Sequence, residues 1–215
     1  MQFSFVAFLD ILGFSQLVEL DSRQPNPGSL YLEKMKLAIE SLPAPSEIYG
    51  VIQFSDSIII SRPFSNDCQE AGEFLKFVAA IQSSFLANGV LLRGGVAVGH
   101  HFQDDKILYS KGLIDAYRLE SERADGPRVL VSRDLIDLID PDQEADLQIL
   151  IDEDGESFVD YLGECDLDTV AVLIEESLKN KSLSDRARRK WIWLGRYFSF
   201  TTERILEGMP SIQRR

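Results

Sequence analysis

Apolar and polar positions along this chain switch between a period of two and a period near 3.6, and each switch marks an element. Residues 3 to 9 form an apolar run that reads as a buried strand. A turn at Gly13 leads from it into a helix whose apolar face would carry Phe14, Leu17 and Val18. The turn-rich Gln24-Pro25-Asn26-Pro27-Gly28-Ser29 separates this from a second helix with Leu32, Met35, Ala38 and Ile39 on one side, ended by Pro43 and Pro45. Two strands follow near 47 to 54 and 57 to 62, with Ser55-Asp56 at the bend. From about residue 67 to 87, Ala71, Phe74, Val78, Ile81 and Phe85 recur at helical spacing, and Asn88-Gly89 supplies a C-cap. A strand over 90 to 98, a short strand over 107 to 109, a helix from about 112 to 123 and a strand over 128 to 131 complete the pattern.

The resulting order, βααββαββαβ, holds two βαβ crossovers around a hairpin. It predicts a mixed α/β (α+β) domain built as a ferredoxin-like βαββαβ sandwich. Beyond it, Ser132 caps a short helix through Ile139, residues 147 to 151 and 158 to 162 read as an outer hairpin, and a helix spans 167 to 178. Ser184 opens a last helix with Ala187, Trp191, Leu194, Phe198 and Ile205 along one face, a stripe that suits core or dimer packing. The expected organisation is one domain over 1 to 165, with a helical extension over 166 to 215 packed on it.

Composition narrows the class. The chain has 215 residues, 45% of them hydrophobic, enough for a substantial core. No stretch approaches the roughly 18 uninterrupted apolar residues of a membrane span, and no signal peptide is expected, so the expectation is a cytoplasmic protein without membrane contact. Cys68 and Cys165 stand apart without paired spacing, which suggests neither a disulfide framework nor a zinc site. A net charge of −13 argues against nucleic-acid binding, because phosphate contacts need a basic face. The local exception is Lys179, Lys181, Arg186, Arg188, Arg189 and Lys190, either a solvated helix start or a contact to a partner or nucleotide phosphate.

The candidate chemistry lies in two aspartates. Phe8-Leu9-Asp10-Ile11-Leu12-Gly13-Phe14 and Phe54-Ser55-Asp56-Ser57 each set one carboxylate in hydrophobic strand sequence. A buried carboxylate is costly unless a cation pairs with it, and two of them invite a shared divalent metal. Read singly, Asp10 is also a helix N-cap before a tight turn, and Asp56 a hairpin-turn residue.

These two segments resemble the two metal motifs of class III nucleotide cyclases, and their separation of 46 residues suits that family. Arg93-Gly94-Gly95-Val96-Ala97-Val98-Gly99 is similar to the following strand of the cyclase core, and residues 107 to 119 to its short strand and catalytic helix. The resemblance covers roughly residues 3 to 132. Within the superfamily, Ala116-Tyr117-Arg118-Leu119-Glu120 and the C-terminal Lys190-Trp191-Ile192-Trp193-Leu194 look most like the pyrimidine cyclases of bacterial Pycsar anti-phage systems.

That resemblance implies a homodimeric phosphorus–oxygen lyase, converting UTP, or else CTP, to a 3′,5′-cyclic monophosphate that activates a separate effector. It implies two Mg²⁺ or Mn²⁺ ions held by Asp10, Asp56 and the main-chain carbonyl of Ile11, with the backbone of Leu12, Gly13, Phe14 and Ser15 cradling phosphate. Arg118 falls where the family places an arginine that stabilises charge on the α-phosphate, usually in the other subunit's site; a surface pair with Glu122 is the alternative. Arg93 either contacts phosphate or base, or neutralises the aspartates. Ile114 stands where purine cyclases carry a ribose-orienting asparagine, Ile107 and Ile52 where they carry base-reading aspartate and lysine. Losing those polar groups argues against ATP. Tyr49 is expected to fill space that a purine needs, while Asp115 and Tyr117 are candidates to replace the asparagine. His100-His101 is no metal pair, since neighbours on a strand point to opposite faces.

Overall fold

The computed structural model describes residues 1–23, 30–40, 42, 46, 48–65, 69–139 and 147–210. The expected turn at 24–29, Pro43, Pro45, the first residues of the third helix and Cys68 lie outside them. The first half runs β1 (Gln2–Ile11), α1 (Phe14–Ser22), α2 (Leu30–Glu40), β2 (Gly50–Phe54), β3 (Ser57–Pro63), α3 (Gln69–Ala87) and β4 (Leu92–Gln103). Then come β5 (Leu108–Ser110), α4 (Lys111–Arg118), β6 (Val129–Val131), α5 (Arg133–Ile136), β7 (Ile149–Ile151), β8 (Ser157–Val159), α6 (Leu167–Lys179) and α7 (Asp185–Thr202).

The strands form one sheet in the order β2-β3-β1-β4-β6-β8-β7, with β5 paired to the end of β4. Its first four strands are antiparallel to their neighbours, which is the ferredoxin-like arrangement of two interleaved βαβ units. β6 then joins β4 in parallel. The expected outer hairpin is β7–β8, and it continues the sheet at its edge, because β8 pairs with β6.

Side chains alternate across β1. Phe5, Ala7, Leu9 and Ile11 enter the main core, where the Phe5 ring stacks on Phe74 of α3 at 5.5 Å. The α3 residues expected inside are all buried, and its end is a Schellman cap: Gly89 at φ +71° donates to the Leu86 carbonyl and Val90 to that of Phe85. The opposite face takes Val6, Phe8 and Asp10. There α4 rests directly on glycines, for a Cβ on Gly95 would lie 2.3 Å from the Ala116 carbonyl oxygen and one on Gly99 would lie 2.8 Å from the Gly112 nitrogen. Only that contact lets a helix come so near the strand.

Several expectations need correction. Helix α1 has no fully buried residue, so Val18 is exposed, and Leu32 of α2 is exposed as well. The helix expected to reach residue 123 stops being regular at Arg118 and continues as a π-helical turn over Leu119–Arg123. The last helix ends at Thr202, where Glu203 turns to φ +56°, so Ile205 falls off its stripe and is 96% exposed. Leu194 and Phe198 of that stripe are buried in the core, and the Tyr197 hydroxyl accepts hydrogen bonds from the Tyr161 and Leu162 amides. Among the described residues no helix is long and apolar enough to cross a membrane.

Candidate active site

Asp10 is the last but one residue of β1, and Asp56 belongs to the two-residue turn between β2 and β3. The register puts Asp10 opposite Ser57, next to Asp56, and the Ile11 amide donates to the Asp56 carbonyl at 3.0 Å. Backbone pairing thus brings together two carboxylates far apart in sequence. The turn itself is unusual: Ser55 sits at φ +56°, a left-handed conformation that a non-glycine residue rarely takes without reason.

On its other side Asp10 faces Arg93 of β4, whose Nε donates to Asp10 Oδ2 at 3.2 Å. The same guanidinium places Nη2 2.6 Å from Oε1 of Glu120, a carboxylate only 3% exposed. Arg93 therefore joins two acids, which favours the neutralising role over direct contact with a base. Glu120 closes the Ala116-Tyr117-Arg118-Leu119-Glu120 motif, which assigns it no task. The available signal was its helical spacing from Gly112 and Ala116, which lines it up with the buried face of α4.

Electrostatics at this centre are unbalanced. Burial raises the Asp10 carboxyl above its ordinary value; Arg93 opposes this and Asp56 adds to it. Glu120 is raised by the same causes, burial first, with Arg93 opposing and Asp10 and Asp56 adding. Lys190 of α7 belongs to the neighbourhood too: burial lowers its pKa, Arg186 and Arg93 lower it further, and Asp10 works against them. The rest of the basic cluster is partly accounted for by packing, since Arg188 caps the Leu178 and Asn180 carbonyls and Lys179 pairs with Glu207.

Raised carboxyls give a signed prediction. A group whose pKa is higher folded than unfolded contributes stability below its unfolded pKa and loses it as the pH rises through the folded value. In chelator, Asp10→Asn should therefore melt above wild type at neutral pH and converge with it as the pH falls through the ordinary carboxylate range. A constant gap in melting temperature would refute the raised carboxyl.

The remaining site candidates divide. Leu12 does not offer its amide, which already donates to the Leu91 carbonyl at 2.9 Å. Gly13 at φ +84°, Phe14 and Ser15 open α1, and the first-turn N–H groups of a helix have no intrahelical acceptor. Arg118 is 62% exposed and reaches Asp115 at 3.9 Å rather than Glu122, because the π-helical turn shifts the following residues out of i,i+4 alignment. It lines an open cleft of about 460 Å³ with Phe8, Leu113, Ile114, Tyr117 and Glu122. Ile114 is exposed there and carries no hydrogen-bonding group, Asp115 is held by Lys111 and Arg118, and Tyr117 sets its ring edge-on to Phe8 at 5.3 Å. Ile107 is exposed before β5. Ile52 pairs with Ile59 on the Asp10 face of the sheet. His101 is buried against Ser110 at 2.9 Å and His100 lies across the sheet beside Phe3.

Tyr49 is a correction. Its ring stacks on Phe77 of α3 at 4.0 Å and its hydroxyl accepts from Arg62 at 3.1 Å, so it packs on the face opposite Asp10. Tyr49→Ala should cost about 2 kcal/mol of stability and leave nucleotide preference unchanged. Denaturant melts and competition between nucleotides check both halves.

No protein-family model matches the chain, and no curated protein matches it significantly in sequence. Solved structures resemble it in fold. A class III adenylyl cyclase-like ATP-binding protein from Pseudomonas aeruginosa superposes with a TM-score of 0.51 at 11% identity, over 80% of this chain and 40% of that one. The guanylyl cyclase Cya2 gives a TM-score of 0.40 at 14% identity, over 70% of this chain and 82% of that one. A bacterial light-regulated adenylyl cyclase gives 0.43 at 14% identity, over 80% and 56%. The chain thus spans two fifths of the first protein's length. The mixed α+β architecture is that of the class III cyclase fold.

Proposed function

We propose that this chain is a nucleotide cyclase that converts a pyrimidine triphosphate, UTP in preference to CTP, to its 3′,5′-cyclic monophosphate and pyrophosphate. The observation that carries the reading is the tie between Ile11 and Asp56, which draws the two aspartates of the resemblance to one sheet end. The donor set fits hard divalent cations such as Mg²⁺ or Mn²⁺: two carboxylates, with Asp10 Oδ1 free of hydrogen bonds among the described residues, and the Ile11 carbonyl within the same turn. When bound, such ions lower the pKa of the ribose 3′-hydroxyl and neutralise the triphosphate.

The chain's own groups supply the rest. Amides of Gly13, Phe14 and Ser15 are aimed from the α1 N-terminus, where phosphate oxygens are favoured. Ile52 on the site face and Ile114 in the cleft offer a purine edge no hydrogen-bond partner, which supports the smaller base. Arg118 is mostly solvated and its ion pair is with Asp115 rather than with Asp10 or Asp56, so the reading assigns it to the site of a second copy in a homodimer, where it would stabilise charge on the α-phosphate. By resemblance to Pycsar cyclases the product would act as an anti-phage messenger on a separate effector.

Purified protein incubated with each ribonucleoside triphosphate and Mn²⁺, followed by mass-resolved detection of cyclic monophosphates, tests the reading. Cyclic UMP or cyclic CMP is expected. A cyclic purine would overturn the base assignment. Metal-dependent triphosphate binding without product would replace the enzyme by a silent nucleotide sensor, a reading favoured by the missing ribose-orienting polar group at Ile114.

A further inference from the structure

The reaction proposed above gives Glu120 no task, yet the carboxylate is buried at the centre of the site with its charge matched by Arg93. Burying an acid at that depth is costly unless a cation compensates it. It sits in the π-helical turn over Leu119–Arg123, and such turns recur at functional sites.

The division of Arg93 is informative. A guanidinium can grip one carboxylate with two parallel N–H bonds. Arg93 instead gives Asp10 a single Nε hydrogen bond at 3.2 Å and brings Nη2, as an ion pair, to 2.6 Å from Glu120 Oε1, an oxygen that accepts no hydrogen bond among the described residues. An arginine committed wholly to Asp10 would compete with a divalent cation for the same oxygens, and it cannot escape by losing its proton. We propose that Glu120 is a positioning residue that holds Arg93 by its far end, so that Arg93 orients Asp10 without occupying it and one oxygen stays open to a metal ion. The inference rests on Asp10 being a metal ligand in the cyclase reading.

The test is Mn²⁺ titration of the full chain without nucleotide, followed by the electron paramagnetic resonance of free Mn²⁺, with thermal melts as the folding control. Glu120→Gln frees Arg93 to clamp Asp10, and Mn²⁺ affinity should fall about tenfold or more. Adding Arg93→Gln should restore it to within about threefold of wild type, a rescue that a merely structural glutamate would not show. Unchanged affinity in folded Glu120→Gln, or a double variant as weak as the single one, overturns the proposal.

If Glu120→Gln does not fold, Arg93→Lys decides. A lysine pairs with the buried glutamate alone, so Mn²⁺ affinity should hold or rise, and a tenfold loss overturns the proposal. Asp10→Asn separates this from the functional reading. Mn²⁺ binding indifferent to Asp10→Asn overturns the inference together with the metal site. The stated rescue, in a protein that forms no cyclic product, upholds Glu120 and overturns only the cyclase.

Discussion

Asp56→Ala is expected to leave the fold intact and to lower cyclic-nucleotide formation by about a thousandfold or more, some 4 kcal/mol of transition-state stabilisation. The fold should survive because the link that Asp56 makes to β1 runs through its backbone carbonyl, which accepts from Ile11 at 3.0 Å whatever the side chain. The left-handed conformation belongs to Ser55 and is also untouched. What disappears is a half-buried carboxylate beside Asp10. Melting temperature, Mn²⁺ titration and mass-resolved product detection on the same sample give the answer. Activity within tenfold of wild type would remove Asp56 from the metal site and leave it as a turn residue.

Most of this centre was legible because it depends on strand periodicity and on turns. An apolar run that ends in aspartate before Gly13, and a second aspartate at a hairpin bend, specify where two strand ends finish. The antiparallel β1–β3 pairing then brings those ends together. Tyr49 was misplaced for a reason that the same periodicity contains. It lies an odd number of residues from Ile52, so on one strand it must point to the other face, where Phe77 and Arg62 receive it.

Glu120 was not legible in the same way. Its helical spacing from Gly112 and Ala116 gives its inward face, but no spacing announces the π-helical turn in which it sits, and its partner Arg93 is distant in sequence. The same turn moved Arg118 away from its expected Glu122 and next to Asp115. The C-terminal stripe failed at Ile205 because a helix end is fixed by one backbone conformation, at Glu203, rather than by hydrophobic spacing. Local patterns fixed the elements here, while irregular turns decided which charged groups meet.

The second large effect concerns Arg118. In its own chain it is mostly solvated, is only loosely paired with Asp115 and borders an open apolar cleft with Phe8, Ile114 and Tyr117. A cation in that state stabilises little where it is. If a second copy covers the cleft, each site takes its aspartates from one subunit and its arginine from the other. Asp56→Ala and Arg118→Ala should each be nearly inactive alone. In a heterodimer of the two, one site receives the intact aspartates of the Arg118→Ala subunit and the intact arginine of its partner, while the other site lacks both. An equal mixture that assorts at random is half heterodimer, so about a quarter of wild-type activity should return. Native mass spectrometry establishes the heterodimer fraction, and product formation is read on the same mixture. Heterodimers without recovered activity would mean that Arg118 serves its own chain or no site at all, and the shared-site account would fall while the metal aspartates stood.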